Sequence, residues 1–300
     1  MRVLVAGFVT IDTIQLSMRS ITSIGGPPCY AGLVCARSGM DVTLMTKVGP
    51  DFPDEQAVWL ARNGIMLKQT HRSQTKPTTR FKLESKGETR TLTLVSRCED
   101  IPEEQLPDVR VNASIVSPIA GEVSSALLAG ISARSDFTFL DPQGFVRTFD
   151  SSGRAGMAAP KDSGVLTMVD AVKMDREEAS ALTGRDGPRE ALEKLYSLGL
   201  RKGVVTQGSN ACYVLDGTRI YQVQVPKSSV VDQTGAGDIL AGAIVSTYIR
   251  TREFLRSACF GIAASSLSLH MIALAKVDLP MSVDEMGKRL FSQAAPVAAV

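Results

Sequence analysis

The sequence predicts an α/β protein with a mostly parallel central sheet, and three observations carry that prediction. From Ser114 onward, apolar runs of strand length alternate with segments of helical period, the rhythm of repeated βαβ units. The run 2–6 near the N-terminus is short, apolar and stopped by Gly7, as suits a strand covered on both faces. No composition break, internal repeat or low-complexity linker divides the 300 residues, so 1–300 reads as a single domain. A chain of this length buries roughly 75% of its unfolded surface and needs no disulfide or metal to fold.

The elements follow in order. Residues 14–24 alternate loosely and predict two short strands. Gly25-Gly26-Pro27-Pro28 punctuates the chain, and 29–38 predict a helix with small residues toward the core. Residues 41–48 predict a strand, and 54–63 a helix stopped by Gly64. The stretch 75–96 behaves differently. Thr79, Phe81 and Leu83 alternate with polar residues, Lys86-Gly87-Glu88 supplies a turn, and 91–95 run back. That pattern predicts an antiparallel hairpin with one wet face, a small β flap beside the main sheet. Strands at 113–117, 137–141, 165–169 and 203–206 then alternate with helices at 123–132, 176–183 and 188–198. A second hairpin, 212–216 and 219–225, turns at Asp216-Gly217. Helices to about 249, at 252–271 and at 282–294 end the pattern.

Composition excludes several function classes. Hydrophobic residues make up 44% and charged residues 21%, which is globular rather than disordered. Lys and Arg number 33 against 31 Asp and Glu, too even a balance for phosphate-backbone binding, so no nucleic-acid partner is expected. Two histidines, His71 and His270, exclude a His-rich metal site; His71 is expected on a surface loop. Five scattered cysteines with no CxxC spacing fit reduced thiols in a cytoplasmic protein. Residues 257–275 carry no formal charge, but four serines and His270 make them a buried helix rather than a membrane span, and no membrane partner is expected.

The segment that carries chemistry is Asp232-Gln233-Thr234-Gly235-Ala236-Gly237-Asp238, followed at once by an apolar helical run. Gly235, Ala236 and Gly237 leave the backbone uncrowded where a helix begins, so its unpaired amides and dipole can receive an anion, most plausibly a phosphate. Asp238 lies in the first turn. A carboxylate beside a phosphate needs a task, and accepting a proton from an attacking hydroxyl is the obvious one. An anion hole with a base a few ångströms away is the minimum apparatus for phosphoryl transfer. The competing reading is plain helix capping, which also favours Asp at this place. There is no GxxxxGK[ST], and Leu240 stands where a dinucleotide fingerprint needs its third glycine.

This segment resembles the D-x-T-G-A-G-D signature of the PfkB, or ribokinase-like, carbohydrate kinases. Five further features resemble that family in the right order along the whole chain: Gly25-Gly26, Asp12, Asp141-Pro142, Asp175-Arg176-Glu177-Glu178 and Thr206-Gln207-Gly208. The resemblance implies a three-layer α/β/α fold with a small β lid formed by about 13–26 and 75–96. It implies an ATP-dependent, Mg²⁺-requiring phosphotransferase acting on a small sugar, polyol or nucleoside, with Asp238 as catalytic base and the amides of Gly235, Ala236 and Gly237 on the transferring group. Asp12, Gly25 and Gly26 would bind substrate, and Glu178 would help hold the metal. Asp175, Thr206, Gly208 and the small-residue helix at Ala263 would meet the nucleotide. A non-catalytic sugar- or nucleotide-binding protein of the same fold is the rival of another class. The lid's open strand edge would also suit pairing in a homodimer.

Two residues depart from the family pattern. Asp175 replaces the Asn of N-x-x-E, and Tyr30 replaces the Asn of G-G-x-x-x-N. Tyr30 is larger and stacks as well as hydrogen-bonds, which argues against ribose. With Gln143 and Arg147 following Asp141-Pro142, the set is similar to archaeal myo-inositol kinases within the family. Asp12, Gln143, Arg147 and Asp238 together suit a polyhydroxylated ring, with Tyr30 beside it.

Overall fold

The computed structural model describes residues 1–15, 19–86 and 89–300. Residues 16–18 of the expected 13–26 lid segment, and Gly87-Glu88 of the expected turn, lie outside the described residues. The strands are β1 (Arg2–Ala6), β2 (Thr10–Gln15), β3 (Ser20–Gly25), β4 (Asp41–Met45), β5 (Arg80–Lys86), β6 (Thr89–Ser96), β7 (Ala113–Val116), β8 (Thr138–Leu140), β9 (Arg147–Phe149), β10 (Ala155–Met157), β11 (Ala171–Asp175), β12 (Lys202–Thr206), β13 (Cys212–Asp216), β14 (Arg219–Val223) and β15 (Ala295–Ala299). The helices are α1 (Leu33–Arg37), α2 (Asp54–Arg62), α3 (Ser125–Ala133), α4 (Gln143–Val146), α5 (Arg176–Thr183), α6 (Pro188–Ser197), α7 (Ala236–Thr251), α8 (Phe254–Ser268) and α9 (Ser282–Gln293).

Nine strands form the main sheet in the order β15-β14-β13-β12-β11-β8-β7-β1-β4. The pairs from β12 through β11, β8, β7 and β1 to β4 are parallel, and β12 to β15 pair antiparallel. Period-two alternation divides the core. Val3, Val5, Ile115, Phe139 and Val204 face one apolar cluster with α1, α7, α8 and α9. Leu4, Ala6, Val116, Leu140 and Val205 face the other, with α3, α5 and α6. The fold is therefore three-layered α/β/α, as expected.

A second sheet has the order β3-β2-β5-β6. The hairpin expected over 75–96 forms as β5–β6, and the one expected over 212–225 forms as β13–β14 in the main sheet. The two strands expected within 14–24 are β2 and β3, paired antiparallel, with β2 starting earlier, at Thr10; a parallel β2–β5 pairing, in which Asp12 lies opposite Phe81, joins them to the hairpin.

Some expectations fail locally. The strand expected at 165–169 is a 3₁₀ segment, Ser163–Met168, and the real strand starts at Ala171. The helix expected over 29–38 opens with a π-type turn, Pro28–Gly32, before α1. Short strands β9, β10 and β15 were not expected. His71 is buried; its Nδ1 accepts from the Lys68 amide at 3.1 Å. Burial, with Lys68 and Lys47 nearby, holds its pKa down to about 4. All five cysteines are free and buried. Among the described residues no helix is long and apolar enough to cross a membrane.

Candidate active site

Strand order places the site. The chain passes from β1 to β4 on one side, then returns to β7 and moves outward through β8, β11 and β12. The reversal falls between β1 and β7, where the carboxyl ends of adjacent strands diverge and leave a crevice. Gly7, Ser117, Asp141, Asp175 and Thr206 stand at or just beyond those strand ends, and α7 starts above them.

The first turn of α7 is built by Gly235. It adopts φ +74, and its Cα lies so close to Tyr30 that an added methyl would fall 2.5 Å from the ring. Only glycine meets both demands without strain. Ala236 donates its amide to Gln233 O at 3.2 Å, so it is engaged in the turn. The amides of Gly235 and Gly237 have no protein acceptor among the described residues. Of the three amides expected to face an anion, one is engaged in the turn and two are without a protein acceptor among the described residues.

Asp238 is buried at 9% exposure, on the face of α7 turned toward β7. The capping reading does not describe it: among the described residues it accepts no backbone amide. Among the described residues its one side-chain hydrogen-bond partner is the Ser117 hydroxyl, at 3.5 Å, too long to be strong. Burial and the neighbouring Asp141 carboxylate raise its pKa to about 7, against the opposing pull of Lys173 and Arg147. A base poised near neutrality suits proton transfer.

Asp175 and Glu178 contrast with it. They form a reciprocal capping box on α5: Glu178 N donates to Asp175 Oδ1 at 2.8 Å, and Asp175 N to Glu178 Oε2 at 2.8 Å. Glu178 is nearly fully buried, and burial holds its pKa above the ordinary range although Lys173 opposes it.

Sequence reasoning missed Lys173. It projects from β11 on the α7 side and is almost fully buried, its ammonium 2.9 Å from Asp141 Oδ2. A methyl on Gly237 would lie 2.8 Å from its Nζ, so the ammonium sits directly against the glycine turn. Burial, the largest influence, would lower its pKa, but Asp141, Glu178 and Asp175 together outweigh it and hold the ammonium charged. From Asp141 a chain of contacts runs outward. Gln143 Nε2 donates to Asp141 Oδ2 at 3.0 Å, Arg147 Nη2 to Gln143 Oε1 at 2.9 Å, and Arg147 Nη1 to Ile119 O at 3.1 Å. Among the described residues Arg147 makes no ion pair; its guanidinium is spent on Ile119 and Gln143. Asp141 Oδ1 is buried with no hydrogen-bond partner among the described residues, an orphan acceptor beside Asp238. Glu122, also missed, accepts the amides of Phe8, Ile119 and Ala120 and ties the exits of β1 and β7 together.

The remaining expected residues divide. Asp12 is buried against Gly25, where an added methyl would fall 2.1 Å from its Oδ2. Asp12, Tyr30 and Asp238 are neighbours: both carboxylates help burial keep the Tyr30 phenol protonated. Tyr30 itself is 1% exposed and packs beneath Gly235. Gly26 adopts φ +83 and accepts the amides of Cys29 and Tyr30, which places Tyr30. Thr206 pairs in register with Asp175, and Gly208 stands in the turn beyond it. Ala263 is fully buried in the apolar core on α8. His270 meets the Ser228 hydroxyl at 2.9 Å and the Ser229 hydroxyl at 3.1 Å, and among the described residues no acid pairs with it.

The chain is 25% identical to a cytidine kinase of Thermococcus kodakarensis over 83% of its length and 88% of that protein. It is 24% identical to an inositol 3-kinase of Arabidopsis thaliana, over 93% of its length and 77% of that protein. Among solved structures, a pyrophosphate-dependent kinase in the ribokinase family, complexed with a pyrophosphate analog and myo-inositol, superposes with a TM-score of 0.79 at 20% identity, covering 91% of this chain and 97% of that one. A family profile for pfkB family carbohydrate kinases matches residues 22–274. With that profile spanning most of its length, on a three-layer sheet whose crevice holds the glycine-rich turn and Asp238, the chain belongs to the pfkB family of carbohydrate kinases.

Proposed function

We propose that this kinase transfers the γ-phosphoryl group of ATP to a hydroxyl of a small ring polyol, an inositol-type ring, with Asp238 as general base. One observation carries the reading: a buried carboxylate, unused as a cap and poised near pH 7, beside two open amides and a buried ammonium. The acceptor hydroxyl gives its proton to Asp238 as its oxygen forms a bond to the γ-phosphorus. The bond from that phosphorus to the bridging oxygen breaks, and ADP leaves. The Gly235 and Gly237 amides and Lys173 face the charge that develops on the transferring oxygens.

Asp12, Gly25, Gly26, Gln143 and Arg147 supply groups for a many-hydroxyl acceptor, and the orphan Asp141 Oδ1 offers one further acceptor position. Tyr30 supports the turn from beneath. Thr206 and Gly208, at the end of β12, lie on the nucleotide side with Asp175. Magnesium fits the end of β11. Among the described residues no group of three or more His, Cys, Asp or Glu could cage an ion, and magnesium prefers one or two carboxylates with phosphates and water completing its shell. Glu178, with Asp175, is the carboxylate that would hold it. When bound, the ion would neutralise phosphate charge. The second sheet is the lid, which would close over the acceptor and exclude water.

The inositol 3-kinase relative favours the ring polyol, and the cytidine kinase relative makes a nucleoside the second reading. The test is turnover on myo-inositol, ribose, fructose, fructose 6-phosphate, adenosine and cytidine, each with MgATP and with magnesium pyrophosphate. Selective turnover of myo-inositol with ATP supports the proposal. Selective turnover of cytidine, or of any acceptor with pyrophosphate alone, replaces the acceptor or the donor.

A further inference from the structure

The buried cation on the far side of the glycine turn has no part in the chemistry above. Lys276 belongs to a 3₁₀ segment, Ala273–Val277, and is 0% exposed. Its ammonium donates to Thr234 O at 2.9 Å and to Asp232 O, and lies 3.2 Å from Asp232 Oδ2. Three oxygens of one short loop thus converge on one positive charge. The same loop is braced from both ends: Asp232 Oδ1 accepts the Thr234 amide at 2.8 Å, and Asp232 Oδ2 accepts the Ala273 amide at 3.1 Å.

Packing does not explain this arrangement. A leucine would fill the space without the penalty of removing an ammonium from water. Peptide geometry supplies the reason. In a planar trans peptide the C=O and the following N–H point in opposite directions. Anchoring the Thr234 carbonyl on Lys276 therefore turns the Gly235 N–H away from Lys276. The positive φ of Gly235 then carries the chain into α7. The charge on one side of the loop aims the amide on the other.

We propose that Lys276 is a positioning residue for phosphoryl transfer: its ammonium acts as a tethered monovalent cation inside an oxygen cage formed by Asp232 and Thr234, so the enzyme turns over without any dissolved monovalent cation. The inference rests on the kinase reading of the Gly235–Asp238 site. Removing the side chain would leave a cage whose oxygens suit a free ammonium or potassium ion of similar charge and size.

The test uses the full-length protein and Lys276→Ala, at constant ionic strength in choline chloride, potassium chloride or ammonium chloride. Wild-type kcat is expected to vary less than twofold among the three salts. Lys276→Ala is expected to lose about 100-fold in kcat in choline, a loss of the size seen when one oxyanion donor is misplaced. Acceptor KM should change little, and ammonium or potassium should restore at least tenfold. Thermal melting gives a readout that needs no acceptor. Potassium or ammonium should raise the melting temperature of Lys276→Ala by ~2–5 °C over choline, by ligand linkage, and leave wild type unmoved. If no acceptor is found, the melting arm still decides the cage, so the failure of the two readings is separable. Strong activation of wild type by potassium overturns the proposal. So does a folded Lys276→Ala with unchanged kcat, or one that no small cation rescues or stabilises. Should Lys276→Ala not fold, Lys276→Gln, which keeps donors without charge, takes its place. Should neither fold, the salt response of wild type decides alone.

Discussion

Replacing Asp238 by Asn keeps its size and removes only its capacity to take a proton. The structure sets two separate magnitudes for that change. The first is catalytic. A positioned general base contributes about 10²- to 10⁴-fold, so kcat should fall within that range while acceptor and nucleotide binding hold to within a few-fold. The pH profile sharpens this. With its pKa near 7, roughly a tenth of Asp238 is ionised at pH 6 and about nine-tenths at pH 8. Wild-type kcat/KM should therefore rise about tenfold across that interval, and the variant's residual rate should not follow it. The second magnitude is thermodynamic, with the opposite sign. Asp238 ionises near 3.8 when unfolded and near 7 when folded. The folded chain then loses stability as pH climbs between those values, by an amount of order 4 kcal/mol that is fully felt above pH 7. Asp238→Asn removes that penalty. It should melt higher than wild type at pH 8 and match it near pH 4. ADP release from pH 5.5 to 9, with melting on the same samples, measures both. A kcat within tenfold of wild type, or a flat kcat/KM profile between pH 6 and 8, refutes Asp238 as the base.

Other perturbations follow from the same geometry. Lys173→Met strands Asp141 as a buried, unpaired charge; it should cost about 3–5 kcal/mol in denaturant unfolding and lower kcat at least tenfold. Adding Asp141→Leu should recover the stability but not the activity. Arg147→Lys keeps the charge but not the fork that spans Gln143 and Ile119; acceptor KM should rise about tenfold with kcat nearly kept, and an equal loss in kcat would move Arg147 to the chemical step. Gly235→Ala forces a methyl into the Tyr30 ring at positive φ; it should destabilise the chain by about 2 kcal/mol or more and depress turnover, and a stable, active variant would contradict the close packing. Glu178→Gln should raise the magnesium concentration needed for half-maximal rate, and an unchanged magnesium titration would remove Glu178 from the metal's surroundings.

Much of this architecture was legible in the chain because local chemistry dictates it. Gly235 and Gly237 announce a turn that nothing larger could make, and the apolar run after Asp238 announces the helix that the turn starts. Val3, Val5, Leu4 and Ala6 alternate only in their partners, not in polarity, which is the signature of a strand covered on both faces. What escaped depends on distant partners. Lys173 sits inside the apolar strand Ala-Val-Lys-Met-Asp, and its partner Asp141 lies 32 residues earlier, so nothing local marks it as buried. Lys276 hides among small residues and meets Asp232 only through tertiary packing. The misplaced strand at 165–169 has β-like composition, but Asp162 caps a 3₁₀ turn there by accepting the Gly164 amide. Asp238 and Asp175 look alike in sequence, each near a helix start. Only the structure separates them, because Asp175 caps its helix and Asp238 does not.

The most direct measurement is ³¹P NMR of the wild-type enzyme with MgATP and myo-inositol. The account predicts that the γ-phosphorus signal of ATP declines in step with the growth of one new phosphomonoester signal and of ADP, and that Asp238→Asn abolishes the growth. ATP converted only to ADP and inorganic phosphate, or left intact with every acceptor in the panel, would contradict it.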